Sequence, residues 1–202
     1  ARRHRAWAAA CGAAFLVAIM VRATNAVLLP ALLVLLGLDW RRLASAALGG
    51  LPGALGLAVY NRTLYGGVFR SGYGPIAEAF ASSYGMPTAA HFARWLAVLL
   101  PTVLLALAPL AFWRMRSRVA IALGLWFGAI TGVYLFYEFS RDTWWCLRFI
   151  LPAIPALVIL GLIAVQQLPG KFRPATALAL AVWAIGASVY WTPRLHLLLM
   201  KD

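Results

Sequence analysis

Residues 143–160 read Thr-Trp-Trp-Cys-Leu-Arg-Phe-Ile-Leu-Pro-Ala-Ile-Pro-Ala-Leu-Val-Ile-Leu, and this stretch decides the fold. Two adjacent tryptophans and an arginine stand directly before an apolar run that contains two prolines about one turn apart. In lipid, a proline is tolerated in the first turn of a helix, or where another group satisfies the freed carbonyl. Aromatic and cationic residues concentrate at the membrane interface. The stretch therefore predicts a transmembrane helix that enters the bilayer just after Arg148.

The composition places the chain among membrane proteins. Hydrophobic residues make up 64% of the 202 residues and charged residues only 11%, against about 25% charged residues in soluble domains. Several apolar runs approach the roughly 20 residues that a helix needs to span a bilayer. The sequence predicts an all-α polytopic membrane protein with about seven transmembrane helices and two extracytoplasmic polar segments.

The net charge of +13 would favour nucleic-acid binding in a soluble protein. Here the basic residues fall between the apolar runs, where lipid headgroups and membrane topology account for them. We therefore expect membrane lipids as partners and no nucleic acid. Because the histidines are scattered and Cys11 and Cys146 stand in unlike surroundings, the sequence predicts neither a metal cluster nor a disulfide.

The apolar runs divide residues 1–202 into seven predicted spans within a single transmembrane domain. Residues 6–38, taken as one helix, would extend about 50 Å, well beyond a hydrocarbon core of roughly 30 Å. A hairpin that turns at Arg22 to Asn25 fits the bilayer better. The predicted spans cover residues 6–21, 26–38, 43–60, 95–113, 119–137, 149–165 and 174–191.

Two polar segments, residues 61–94 and 138–148, separate the apolar runs, and the first includes a predicted short helix over residues 75–83. An even number of spans lies between the segments, so both fall on the same side of the membrane. With the hairpin, ten of the lysines and arginines collect on one side and eight on the other. The positive-inside rule places the ten in the cytoplasm, and the polar segments then face outward.

The first polar segment carries candidate binding residues. Between Asn61 and Gly74 it holds four glycines and two tyrosines, which suits close approach of the backbone to a ligand and stacking on aromatic faces. Asn61, Arg70 and Tyr73 are its candidates for binding a ligand. The alternative is a flexible extracytoplasmic loop with interfacial tyrosines.

The second polar segment carries acidic and aromatic candidates. If the segment is helical, Glu138 and Asp142 lie four residues apart on one face, where they would bind a cation or act as a base. The alternative is a solvated pair at the interface. Trp144 and Trp145 are candidate platforms for a sugar ring, or residues of the aromatic belt.

Two arginines are candidate phosphate ligands. Arg148 begins an apolar helix, where an arginine is costly unless it is paired or reaches the interface. A planar guanidinium at that position suits a phosphate, which it grips with two hydrogen bonds. Arg22, recessed in the hairpin turn beside Thr24 and Asn25, fits the same role on the same face.

These motifs together resemble bacterial membrane glycosyltransferases of the GT-C superfamily. The resemblance is to the relatives of the protein mannosyltransferases (glycosyltransferase family 39) and of the lipid A aminoarabinose transferase. The resembling motifs are Tyr60-Asn61, Tyr65-Gly66 and Ser71-Gly72-Tyr73-Gly74 in the first segment, Trp144-Trp145, Arg148-Phe149-Ile-Leu-Pro152 and Pro155 in the second, and Arg22-Ala-Thr-Asn25 in the hairpin. Ala23 stands where the family's hairpin turn has a proline.

The resemblance implies a function and also a missing part. Members of this family transfer a sugar from a polyprenyl-phosphate donor to a glycan, lipid or protein acceptor outside the cytoplasm, with inversion, using an acidic general base in an early extracytoplasmic loop. This chain has no Asp or Glu before Asp39. We therefore expect it to be the C-terminal portion of a multi-pass enzyme of the bacterial inner membrane, inactive alone. No cofactor is required by this reading except a divalent cation in some cases.

Under this resemblance, Arg148 and Arg22 would bind the lipid phosphate, and Trp144, Trp145 and Tyr73 would shape the cavity for sugar and acceptor. A polytopic transporter or flippase without transferase activity is the main alternative, because several spans contain prolines that interrupt helices in transporters. A non-catalytic membrane scaffold is a further alternative.

Overall fold

The structure is a computed structural model that describes residues 2–70, 80–99, 108–109, 111, 117–141 and 144–194. The described residues form α-helices joined by short 3-10 segments, and no β-strand occurs among them. They fall into two compact units, Ala1–Phe80 and Ala81–Asp202, where the sequence predicted one domain. Each unit has its own packing and is described by itself.

The described part of the first unit begins with a helical hairpin. Helix α1 (Arg2–Val21) is followed by a 3-10 turn (Ala23–Leu28), the short helix α2 (Leu29–Leu36) and the long helix α3 (Trp40–Tyr65).

The chain reverses direction after α1. Ala8, near the start of α1, packs with Leu36 at the end of α2 and with Ala46 of α3, so α2 returns alongside α1. The side-chain amide of Asn25 donates a hydrogen bond at 2.8 Å to the Ala18 carbonyl, which also accepts from the backbone amide of Arg22, so the turn is tied to the last turn of α1. The predicted turn at Arg22 to Asn25 is therefore present. The returning α-helix has only 8 residues and is too short to span a bilayer by itself.

Helices α1 and α3 touch backbone to backbone. A Cβ atom built on Gly12 would overlap the carbonyl of Ala46, and one built on Gly49 would overlap the carbonyl of Ala9. Ala8, near the start of α1, packs with Ala46, whereas Leu16 lies against Gly53, so the contacts advance along both helices together and the two helices are parallel. Small residues allow this close approach, as at many helix interfaces in membranes.

The described part of the second unit contains four α-helices: α4 (Gly85–Leu99), α5 (Arg118–Leu135), α6 (Ile154–Gln166) and α7 (Arg173–Arg194). A 3-10 turn precedes α4, and three 3-10 segments lie between α5 and α6. These segments are Ser82–Tyr84, Glu138–Arg141, Trp144–Phe149 and Leu151–Ala153.

Helices α5 and α6 form the core of the second unit and run antiparallel. Tyr134, near the end of α5, stacks on Phe149 before α6, while Trp126, two turns earlier, contacts Pro152. Their interface is built of alanine and leucine, and it is closed on another side by buried alanines before α5. The buried residues of this core are Ala108, Ala111, Ala120, Leu123, Ala156, Leu157, Leu160 and Ala164.

The first residues of the second unit lie beside the second polar segment. The amide of Ala81 donates to the Phe136 carbonyl at 3.0 Å, and the Phe136 ring lies against Gly85 at the start of α4. The start of α4 therefore lies at the same end of this unit as residues 136–149. The side of the membrane that this end faces stays a prediction.

Two predicted element boundaries differ from the structure. Residues 61–94 were predicted as a loop, but α3 continues to Tyr65 and α4 already begins at Gly85. Helix α3 ends because Gly66 adopts a left-handed conformation (φ 73°), which glycine accepts without strain. Of the short helix predicted over residues 75–83, residues 75–79 lie outside the described part, and residues 82–84 form a 3-10 turn.

The predicted span over residues 149–165 is not one α-helix. The α-helix begins only at Ile154, after two short 3-10 segments. Pro152 and Pro155 lack the backbone donors that an α-helix needs in its interior. Each proline instead occupies the first turn of its segment, where no donor is missed.

Four helices among the described residues are long and apolar enough to cross a membrane. They contain His4–Val21, Trp40–Tyr65, Arg118–Leu135 and Arg173–Arg194. The α2 and α6 regions are apolar but shorter, and part of the predicted span over residues 95–113 lies outside the described residues. The count of seven spans therefore stays a prediction.

The contact between α1 and α3 predicts that alanine substitutions at Gly12 and at Gly56 have different effects on the stability of the protein. Gly12→Ala places a methyl group onto the Ala46 backbone, so we expect it to lower the free energy of unfolding by about 1–3 kcal/mol. Gly56→Ala is the matched control, because no atom lies within 4 Å of its Cβ position and alanine favours the helix by up to about 1 kcal/mol. The thermal midpoint of the intact protein in detergent measures both. Equal midpoints for the two variants would contradict the close packing.

Candidate functional site

Arg148 lies at the surface, in the 3-10 segment Trp144–Phe149. One further 3-10 segment, Leu151–Ala153, separates it from the start of α6. Arg148 is exposed, whereas its neighbours Cys146, Leu147 and Ile150 are buried. The buried neighbours fix the backbone of the segment, and the arginine projects from it. The guanidinium carbon of Arg148 lies 5.4 Å from the centre of the Phe149 ring, within range of a cation–π interaction.

Phe149 belongs to an aromatic cluster made of Tyr134, Tyr137, Phe139 and Phe149. Its ring is stacked on Tyr134 (5.4 Å, 20°) and meets Tyr137 edge to face (5.2 Å, 79°). Tyr137 also contacts Tyr134 and Phe139 edge to face. Tyr134 is buried, with 4% of its surface exposed. The aromatic cluster therefore ties the base of Arg148 to the end of α5.

A hydrogen bond from α5 fixes the other side of this segment. The indole Nε1 of Trp126 donates to the Pro152 carbonyl at 2.9 Å. The nitrogens of Pro152 and Pro155 carry no hydrogen, so a backbone carbonyl that would accept from either of them in a regular helix has no helical partner. In an apolar environment, an unsatisfied carbonyl costs several kcal/mol. The indole therefore stabilises the segment that carries Arg148 at the point where the backbone is least regular.

Two buried hydroxyl groups lie on elements that pack beside this region. Thr88 of α4 and Ser140 of the 3-10 segment Glu138–Arg141 are completely buried, and neither side-chain oxygen has a hydrogen-bond partner in the described protein. The two elements that carry them are in contact. Uncompensated hydroxyls are uncommon in protein interiors, so this part of the second unit is more polar than its apolar core.

The acidic pair predicted beside Arg148 is only partly described. Glu138 is exposed in a 3-10 segment rather than in an α-helix, and Asp142 lies outside the described residues. Among the described residues, no group of three or more His, Cys, Asp or Glu side chains is arranged to hold a metal ion. The backbone of Trp144 and Trp145 lies in the same segment as Arg148, but their side chains are outside the described part, as is Tyr73.

In the first unit, Arg22 and Asn61 lie at the same end. Arg22 follows α1, Asn61 is in the last turns of α3, and the two helices are parallel. Because the Cβ atom of Leu16 lies against Gly53, Arg22, six residues further on, is level with about residue 59 of α3, within roughly 3 Å of the level of Asn61. Arg22 is half-buried.

Asn61 has a structural contact that its sequence did not indicate. Its side-chain amide donates to the Val68 carbonyl at 3.0 Å, which folds the residues after α3 back onto the last turn of that helix. Arg70 closes the same turn, since its amide donates to the Gly67 carbonyl at 3.1 Å and its side chain lies over Gly67. Arg70 is exposed and accessible to a ligand, whereas Asn61 already uses one amide donor.

The structure adds residues that the sequence did not single out as part of the site. Tyr134 and Tyr137 precede Arg148 by more than ten residues and reach it only because α5 and α6 run antiparallel. Trp126 lies about two turns before Tyr134 on α5. The dense run of aromatic residues from Tyr134 to Phe139 was the signal that could have indicated an aromatic cluster after this span.

Comparisons with known proteins give no relative for this chain. No protein-family model matches it, and neither a curated protein nor a solved structure matches it at a significant level.

The hydrogen bond from Trp126 predicts a specific loss on mutation. Trp126→Phe keeps an aromatic ring but removes the donor to Pro152, so we expect the free energy of unfolding to fall by about 1–3 kcal/mol. Trp183→Phe is the matched control, because Trp183 is 45% exposed on α7. The thermal midpoint of the intact protein in detergent compares the two. If Trp126→Phe is as stable as Trp183→Phe, the bond does not support this segment.

Proposed function

We propose that the intact protein is an integral-membrane glycosyltransferase. It moves a sugar from a polyprenyl-phosphate donor to a glycan, lipid or protein acceptor on the extracytoplasmic side of a bacterial inner membrane. In this proposal, Arg148 is the residue that binds the lipid phosphate.

One observation carries the proposal: an exposed arginine is held on a rigid base just before an apolar helix. Arg148 lies over Phe149, and Phe149 is stacked on the buried ring of Tyr134. A polyprenyl phosphate has a charged head on an apolar chain, so its binding site needs a cation next to an apolar surface. The segment from Arg148 to α6 provides both within a few residues.

The chemistry of the transfer favours an arginine at this position. When the glycosidic bond breaks, the lipid phosphate leaves with more negative charge than it had in the donor. A guanidinium that donates two parallel hydrogen bonds stabilises this charge as it develops. The aromatic cluster limits the movement of the Arg148 backbone, so little conformational entropy is lost when the phosphate binds.

The first unit holds a second candidate cation. Arg22 is half-buried and follows α1 at the end of this unit that carries Asn61 and Arg70. In the proposal Arg22 is a candidate ligand of the phosphate, and the candidate contacts of the sugar or the acceptor are Asn61, Arg70, Tyr73, Trp144 and Trp145. A divalent cation at Glu138 and Asp142 is a weaker part of the same proposal.

Arg148→Ala tests the proposal in the intact protein. Removing a group that stabilises developing charge lowers the turnover number by about 100- to 1,000-fold. We expect Arg148→Lys to recover part of the activity, because it restores the charge but not the two-bond geometry. The measurement is transfer of a labelled sugar from a polyprenyl-phosphate donor by the purified protein in lipid vesicles.

Arg118→Ala is the matched control, since it removes the same charge from an exposed position at the start of α5. Arg118 precedes Tyr134 by 16 residues of that helix, which is about 24 Å. Its activity should equal that of the wild type. Full activity in Arg148→Ala would refute the role of this residue. Movement of the lipid across the vesicle membrane without any sugar transfer would instead favour a flippase.

A further inference from the structure

Helix α7 is the least covered of the four helices of spanning length among the described residues. Only 6% of its most apolar window is buried, against 28% for α5. Its one buried position, Leu180, packs against Val165 of α6. Helix α7 also contacts α4, so its packed side faces α6 and α4.

The opposite side of α7 carries a row of large aliphatic side chains. With about 100° of rotation per residue, Leu178, Val182, Ile185 and Val189 all fall roughly 140–180° away from Leu180. These four side chains define the outer face of α7. Their exposed fractions are 66%, 62%, 66% and 71%. Contiguous exposed apolar rows of this kind are rare on surfaces that face water, and they mark an interaction surface or a membrane surface.

Cationic and aromatic side chains lie at both ends of α7. Before the helix, the Lys171 ammonium lies 5.1 Å from the centre of the Phe172 ring. At its end, the Arg194 guanidinium lies 3.5 Å from the centre of the Tyr190 ring. The 22 residues from Arg173 to Arg194 extend about 33 Å, which is close to the thickness of the hydrocarbon core of a bilayer.

We propose that the outer face of α7 lies against lipid acyl chains and that its two cationic ends contact lipid headgroup phosphates. The spacing of the two ends fits the two headgroup layers, and aromatic and cationic residues are the usual anchors there. A covering protein helix fits this face less well. Interfaces between membrane helices favour small residues, whereas the large side chains on the outer face of α7 are all branched aliphatic ones.

The proposal is independent of sugar transfer, because it concerns only the boundary between the protein and the bilayer. It predicts which side of α7 meets lipid in the intact protein. It also predicts that Lys171 and Arg194 lie near opposite surfaces of the membrane. Neither statement depends on the reaction that the protein catalyses.

A spin label on Val182→Cys tests the proposal in the intact protein, reconstituted in vesicles of phosphatidylcholine and phosphatidylglycerol after the other reactive cysteines are replaced. We expect a mobile label whose collision rate with oxygen is several-fold higher than that with a water-soluble nickel chelate. Leu180→Cys is the matched control at nearly the same depth. Its label should be immobilised and protected from both reagents.

Ile185→Cys repeats the measurement on the same face, should Val182→Cys fold poorly. Labels on the outer face that are immobilised and protected from oxygen would overturn the proposal, because another protein surface would then cover the face. Labels that collide mainly with the nickel chelate would also overturn it, because the face would then be in water.

Discussion

The hydrogen bond from the Trp126 indole to the Pro152 carbonyl is the interaction on which the second unit depends. Proline ends regular hydrogen bonding in the segment before α6, and an apolar surrounding offers no water to replace the missing donors. Helix α5 supplies a donor from its side chain instead. The same helix supplies Tyr134, on which Phe149 stacks. Together, these contacts allow an irregular segment to occupy a fixed position and to present Arg148 outward.

The first unit reaches a fixed arrangement by a different constraint. Gly12 and Gly49 bring the backbones of α1 and α3 into contact, and the short return through α2 makes the two long helices parallel. Parallel packing is what places Arg22 at the same end as the loop after α3. In both units, therefore, helix packing determines where an arginine lies, and the local sequence determines only that it is near an apolar run.

The sequence predicts the helices better than it predicts the site, for physical reasons. Apolar runs of sufficient length must form helices in lipid, so α1, α3, α5 and α7 follow from composition. The start of α4 at Gly85 was missed because its first turns contain few large apolar residues. Arg148 was singled out because it follows two adjacent tryptophans directly before an apolar run, and its role stays a prediction. The aromatic cluster beneath it was not singled out, because Tyr134 reaches Phe149 only through the antiparallel packing of α5.

Photo-crosslinking next to Arg148 tests the central claim most directly. Leu151, three residues after Arg148 and 63% exposed, is replaced by p-benzoylphenylalanine in the intact protein, and labelled polyprenyl phosphate is added in vesicles. We predict a crosslink that unlabelled polyprenyl phosphate competes away, that the uncharged polyprenol does not, and that Arg148→Ala abolishes. A crosslink that persists in Arg148→Ala, or that polyprenol removes equally well, would contradict a phosphate site at this arginine.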